Sequence, residues 1–344
     1  MKKIVIHSPG NHEKLALEEH PDLIPGPGEV VVNTRAAGVN YADVCVRWGV
    51  YESAKRLVGW PITPGFEFSG IVGNTGPDVT RYKIGDHVFG ITFFNGYASQ
   101  ICVPEKQLYT IPDRFSLEEA AGFPAVFMTA YHALFQLVRI PEGASILIHS
   151  AGGGVGSALV QLARARGFSI TGVVGSPHKV SYVKSLGAHH VIDKSSEDLW
   201  TSVRSVCPNG YDAVLDANGP ETLRGSYTAL RATGKLIVYG SHGILPQTST
   251  GRMNYLKAAI GLWKMPRFNP MDLITDNKSV IGFNLSFLFD RDDLLLEGMR
   301  SLLDMVEKGQ LLPPKITRFD AIDAANAHRL IESGASTGKI VLGF

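Results

Sequence analysis

Cysteine is scarce in this chain of 344 residues: three are present, Cys45, Cys102 and Cys207, far apart and with no CxxC pair. That argues against a disulfide framework and against a structural zinc site of four cysteines, and it fits a reducing compartment. Long apolar runs are missing too. The longest, near residues 120–138, is interrupted by Pro124, His132 and Gln136, which argues against a membrane span. The opening MKKIVIHSPG is too short in apolar residues for a signal-peptide core, so a cytoplasmic location is expected. Charge of one sign is also lacking. With 33 basic and 32 acidic side chains and a net charge of +1, no overall field attracts nucleic acid or an anionic membrane. A small-molecule partner is expected first. What is present is 44% hydrophobic and 19% charged residues, enough for two domains with buried cores.

Up to about residue 120 the pattern is many short β pieces broken by Gly and Pro: EVVVNTRAAGVN, SGIVGNTG, GDHVFGI and YASQICVP. An irregular, barrel-like β domain is expected. Ser116 and Glu119 then have capping-box spacing, so a helix is expected to start there. From Ser145 onward strands alternate with helices: SILIHS before VGSALVQLARARG, SITGVVG before HKVSYVKSLG, then HHVID, YDAVLDAN and GKLIVYGS. Alternation on this scale predicts a doubly wound parallel sheet. One segment, GRMNYLKAAIGLWKMPRF at 251–268, carries Arg252, Lys257, Lys264 and Arg267 with no acid, beside Leu256, Ile260, Leu262 and Trp263. A membrane-surface helix, a substrate lid, or a helix packed on its own domain with a solvated basic face would all show this pattern.

ILIHSAGGGVGSALVQLA runs from an apolar strand through glycines into a helix of small residues. Gly153, Gly154 and Gly156 suit close approach of a pyrophosphate and close helix–strand contact, with N–H groups near Gly154 and Val155 facing the phosphates. Ala151 stands where the fingerprint has its first glycine, which calls for a wider turn. The next strand ends in TGVVGSPHK, without the carboxylate that would hold a ribose 2′-hydroxyl. Ser176 and Lys179 offer instead a hydroxyl and a cation for a 2′-phosphate, so NADPH is the expected cofactor. The alternative for Lys179 is a surface lysine at a helix start.

AAGVNYADVCVRWGVY, PITPGFEFSGIV, GDHVFG, TAYHAL and IHSAGGGVG, in that order over nearly the whole chain, resemble the medium-chain dehydrogenase/reductase superfamily, most closely its zinc-free quinone oxidoreductase (zeta-crystallin-like) branch. YGSHG, the basic insertion and VIGFNLSFL are similar to the synaptic vesicle amine-transport-protein-like subgroup. The resemblance implies an α/β chain with a GroES-like irregular β-barrel catalytic domain (1–123 and 288–344) and a Rossmann NADP-binding domain (124–287). Zinc-dependent members place a Cys and a His where this chain has Asn40 and Phe66, so no metal is expected, and Glu67 alone makes no zinc site. His189 and His190, on opposite faces of a strand start, do not make one either.

The resemblance further places Asn40 near nicotinamide and substrate and Tyr51 in the substrate pocket, as a carbonyl donor or as a wall. It puts Thr129 beside the nicotinamide, Gly153, Gly154 and Val155 at the pyrophosphate, and Ser176, Lys179 and Lys194 at the 2′-phosphate. Tyr239, Gly240 and Ser241 form a loop over the cofactor, Phe283 closes the nicotinamide pocket, and Lys339 lies near the cleft. Cys45 replaces a pocket Tyr of several relatives, while Asp43 reads as a helix or turn cap. The implied activity is metal-free, NADPH-dependent reduction of quinones or α,β-unsaturated carbonyls by a homodimer. The rival is a catalytically weak NADPH-binding protein that acts through a lipid, membrane or protein partner.

Overall fold

In the computed structural model of the chain, residues 1–244, 259–261 and 263–344 are described. They form two compact units, one of residues 1–126 and 313–344, the other of the described residues between 127 and 312. The first unit is built on the strand Glu29–Val39, eleven residues long. It pairs antiparallel with Glu67–Thr75, with Gln100–Pro104 and with Lys339–Gly343. Register shifts between Val31 and Val32 and between Thr34 and Ala36 bend it, as bulges do. Bending lets one strand serve several partners and curl the seven-stranded sheet into the irregular GroES-like barrel. Val30, Val32, Phe68, Val72, Val88, Ile101, Val103 and Leu108 fill its interior. Ser116 and Glu119 form the expected capping box at the start of the helix Leu117–Ala121.

The second unit holds a six-stranded parallel sheet. From one edge to the other its strands are His190–Asp193, Ser169–Val174, Ser145–Ile148, Tyr211–Asp216, Leu230–Val238 and Ser279–Gly282. Numbered along the chain within this unit the order is 3-2-1-4-5-6, the doubly wound dinucleotide-binding order. It reverses between Ser145–Ile148 and Tyr211–Asp216, so the crevice for a ligand opens at the carboxyl ends of those two strands. The central strands read SILI and YDAVLD and are almost wholly buried, as strands covered on both faces must be.

The resemblance implies a return to the first unit at residue 288; in the structure the second unit runs on to Leu312. The difference is the helix Asp292–Glu307, which buries Gly298, Met299, Leu302 and Val306 in the second unit. The Gln136 side-chain amide donates to Leu294 C=O (2.9 Å), and beyond the helix Gln161 Oε1 accepts from Leu312 N–H (2.7 Å). An amphipathic stripe shows that a helix needs a partner but not which domain supplies it. Upstream, the boundary falls inside the helix Pro124–Tyr131, after Val126, rather than at 123.

Gly156 is where helix and glycine turn meet. A Cβ there would stand 2.1 Å from Ser150 O and 2.7 Å from Ala151 Cα, both backbone atoms that cannot yield alone. Gly156→Ala is therefore expected to lower stability by about 1–3 kcal/mol, read from denaturant unfolding against wild type.

Candidate functional site

In the second unit, Gly153 is the N-cap of the helix Gly154–Ala165. The preceding turn is tighter than Ala151 led one to expect. Gly153 N–H donates to Ser150 C=O (2.9 Å), and Ser150 takes the left-handed conformation, φ 53°. A non-glycine residue held there costs about a kilocalorie per mole and marks a site where backbone direction matters. Ser150 Oγ donates to Asn218 Oδ1 (2.8 Å), which ties the two strand ends together at the point where the sheet order reverses. A Cβ on Gly153 would meet nothing closer than Ser150 O at 3.4 Å. Among the described residues no other atom claims that space. An open face over the first N–H groups of a twelve-residue helix fits a pyrophosphate.

The neighbouring strand ends bring the other expected residues of this unit to the same edge of the sheet. Ser176 stands at the N-cap position of the short turn Pro177–Lys179, with no capping hydrogen bond from its side chain. Lys179 is buried, and burial pulls its ammonium below the ordinary lysine range. Its stem lies over the glycine turn, since a Cβ on Gly152 would touch Lys179 Cδ at 3.0 Å. Lys194 is exposed; its N–H donates to Val174 C=O (3.1 Å) and its Cε lies 3.7 Å from where a Gly175 Cβ would be. Hydroxyl and cations thus gather where the second and third strands end. On the other side of the reversal, Tyr239 stacks on Phe283 (6.4 Å between ring centres), and Phe283 meets the edge of His132 (4.9 Å). Ser241 Oγ is buried and has no hydrogen-bond partner among the described residues, a donor suited to a ligand. Thr129 is half-buried on the helix Pro124–Tyr131.

Residue reasoning missed the buried network beneath this edge. Asp216 Oδ1 accepts from Asn218 N–H (2.8 Å) and from the Thr222 hydroxyl (2.9 Å), and Oδ2 accepts from Ser226 Oγ (2.7 Å). His149 Nε2 is 3.0 Å from Ser226 Oγ. The polar residues in SILIHS and YDAVLDAN, each at the end of an apolar strand, were the available signal.

In the first unit, Asn40, Glu67 and Lys339 come together. Glu67 is 0% and Lys339 3% exposed. Lys339 Nζ donates to Glu67 Oε1 (2.7 Å), Val39 C=O (2.7 Å) and Asn40 Oδ1 (2.6 Å), which uses its three N–H groups. Asn40 Nδ2 donates to Glu67 Oε1 (2.9 Å), and Ala125 N–H to Glu67 Oε2 (2.7 Å). Lys339, expected near the cofactor, is thus engaged inside its own unit. Asp43 does cap its helix by accepting from Asn40 N–H (2.8 Å), and it also accepts from Gly65 N–H (2.9 Å) and the Tyr97 hydroxyl (3.1 Å). One carboxylate therefore braces the turns carrying Asn40 and Phe66. Burial pushes Asp43 up to about 6 in spite of these donors. Tyr51 lies edge-on to Phe66 (5.7 Å), which tilts against Phe94 (4.9 Å). Burial, with help from Asp43 and Glu332, pushes the Cys45 thiol up to about 12.

Of the basic segment, Arg252 and Lys257 lie outside the described residues. Lys264 and Arg267 are exposed and Trp263 is 85% exposed, whereas Met265 and Phe268 pack on the core of the second unit. Among the described residues no helix is long and apolar enough to cross a membrane.

Two family models match the chain: the alcohol dehydrogenase GroES-like domain over residues 26–113 and the zinc-binding dehydrogenase over residues 154–295. The mouse synaptic vesicle membrane protein VAT-1 homolog-like is 31% identical over 345 residues, which cover 99% of this chain and 81% of that protein. A quinone oxidoreductase from Pseudomonas syringae superposes with a TM-score of 0.85 at 29% identity, over 100% of this chain and 99% of that one. The Escherichia coli quinone oxidoreductase, crystallised with NADPH, superposes with a TM-score of 0.85 at 25% identity, over 100% of both chains.

Because the folded-state value of Asp43 lies above its unfolded one, its contribution to stability is full below about pH 4 and is lost as pH rises through about 6. Asp43→Asn has no such proton to bind. The unfolding free energy of wild type minus that of the variant is expected to grow as pH falls from 7 to 4, by on the order of 2 kcal/mol, in paired urea titrations.

Proposed function

The chain belongs to the medium-chain dehydrogenase/reductase superfamily, in its zinc-free, quinone oxidoreductase-like branch, and from that premise we propose that it is an NADPH-dependent reductase of quinones or α,β-unsaturated carbonyls. One observation carries the cofactor half of this reading: Ser176, Lys179 and Lys194 sit at the ends of adjacent strands beside the glycine turn, with no carboxylate in SPHK to repel a 2′-phosphate. The Escherichia coli relative's complex with NADPH supports it. Gly153, Gly154 and Val155 hold the pyrophosphate, Tyr239, Gly240 and Ser241 cover the cofactor, and Thr129 and Phe283 flank the nicotinamide.

Bound NADPH supplies the hydride. The side chains orient the acceptor and stabilise the charge that develops on its oxygen. Asn40 donates one Nδ2 hydrogen to Glu67 and keeps the other for a substrate carbonyl. Tyr51, Phe66, Phe94 and Phe93 form an aromatic run that offers a flat ring an apolar wall and keeps water from it. Solvent delivers the proton that completes the reduction.

The first test is NADPH oxidation with a panel of small quinones and enones. Lys179→Met keeps the stem over Gly152 but removes the ammonium. It is expected to raise KM for NADPH about 10- to 100-fold, the loss of one charge-assisted hydrogen bond, with little change for NADH. Equal effects on both cofactors would overturn the assignment.

Trp263, Lys264 and Arg267, all exposed within five residues of sequence, support the rival reading of a weakly catalytic NADPH-binding protein with a lipid, membrane or protein partner. Turnover-free NADPH binding, together with liposome co-sedimentation abolished by charge reversal at Lys264 and Arg267, would favour it. We further propose a homodimer through the edge strand Ser279–Gly282, with Met271 (64% exposed) and Ile274 (67%) on the helix Pro270–Asp276 that precedes it. Light scattering should then return twice the chain mass, and Ile274→Asp should return the single chain.

A further inference from the structure

The pair Glu67–Lys339 has no place in the reaction just outlined, yet both its side chains are buried, Glu67 fully and Lys339 to 3% exposure. Burying two charges is costly unless the geometry is good and the remaining valences are met. Both conditions hold, and Asn40 is one of the groups that meets them. An ammonium can only donate and a carboxylate can only accept. With Lys339 against Oδ1 and Glu67 against Nδ2, the Asn40 amide has a single allowed orientation. Neutral partners could serve either flip; this pair cannot.

The seat is also shaped for the carboxylate. Gly38, on the strand Glu29–Val39 that leads into Asn40, has no Cβ, and one there would stand 2.3 Å from Glu67 Oε1. The main chain at Asn40 is held separately, by Asp43. Backbone position and side-chain orientation therefore have different keepers.

We infer that Glu67 and Lys339 are positioning residues: their ion pair locks the Asn40 carboxamide so that its spare Nδ2–H points at the substrate oxygen. The inference rests on the reading of Asn40 as the carbonyl donor. It also assigns Lys339, expected from the sequence to serve the cofactor, to the amide instead.

Either charge removed alone leaves the other buried and unpaired, so the test uses the double variant Glu67→Gln/Lys339→Met, with folding checked by its thermal transition. The first readout needs neither cofactor nor substrate. In 15N–1H spectra, the Asn40 side-chain NH2 pair, identified by its loss in Asn40→Ala, is expected to be sharp and protected from exchange in wild type. In the double variant it should be broadened and unprotected. The second readout is a mutant cycle. The double variant should lower kcat about 10-fold or more in the wild-type background and by less than 2-fold in Asn40→Ala, with the NADPH Kd within 2-fold throughout. An unchanged Asn40 signal in the double variant, or an equal fall in kcat in both backgrounds, overturns the inference. If the signal changes as expected but Asn40→Ala keeps full kcat, the orientation lock stands and the assignment of Asn40 as donor fails.

Discussion

A carboxylate with no access to water sits where three parts of the first unit converge. Glu67 begins one strand, Lys339 begins the last strand of the chain, and Asn40 follows the long central strand. Ile340 pairs with Val39 and Phe68 with Ala37, so the sheet register delivers ammonium, carboxylate and carboxamide to one spot. An unpaired charge there would be untenable, so the strands must come together in this register or not at all. The closing strand of the chain is thereby tied to the loop that carries the proposed donor.

In the proposed reading the second unit faces a different problem, the binding of a polyanion without a strongly basic surface. For that role it offers a helix N-terminus, an open glycine, hydroxyls and two lysines. Lys179 is buried, with its stem on the glycine turn, so little side-chain entropy remains to be lost on binding. The saturated carboxylate of Asp216 keeps the two strand ends beneath the turn rigid.

Much of this was legible along the chain, because the signals are local. Strand, glycines and helix follow one another in eighteen letters, and the Ser116–Glu119 box is a three-residue relation. The zinc-free branch could be read because Asn40 and Phe66 stand in short motifs. What could not be read depends on distant pairing. Glu67 looked like the remnant of a metal site and Lys339 like a cofactor ligand, since nothing local says that they touch. The helix Asp292–Glu307 showed its apolar stripe but not its host. At the glycine turn, the missing first glycine suggested a wide path, whereas Ser150 absorbs the left-handed turn one residue earlier.

Quinones and enones are electrophiles that alkylate thiolates, so the activity proposed above would expose the chain to its own substrates. Cys45 lies on the helix that Asn40 caps, and its thiol is held near 12. A half-buried thiol raised that far holds little of the nucleophilic thiolate, which blunts its reaction with the electrophiles it would meet.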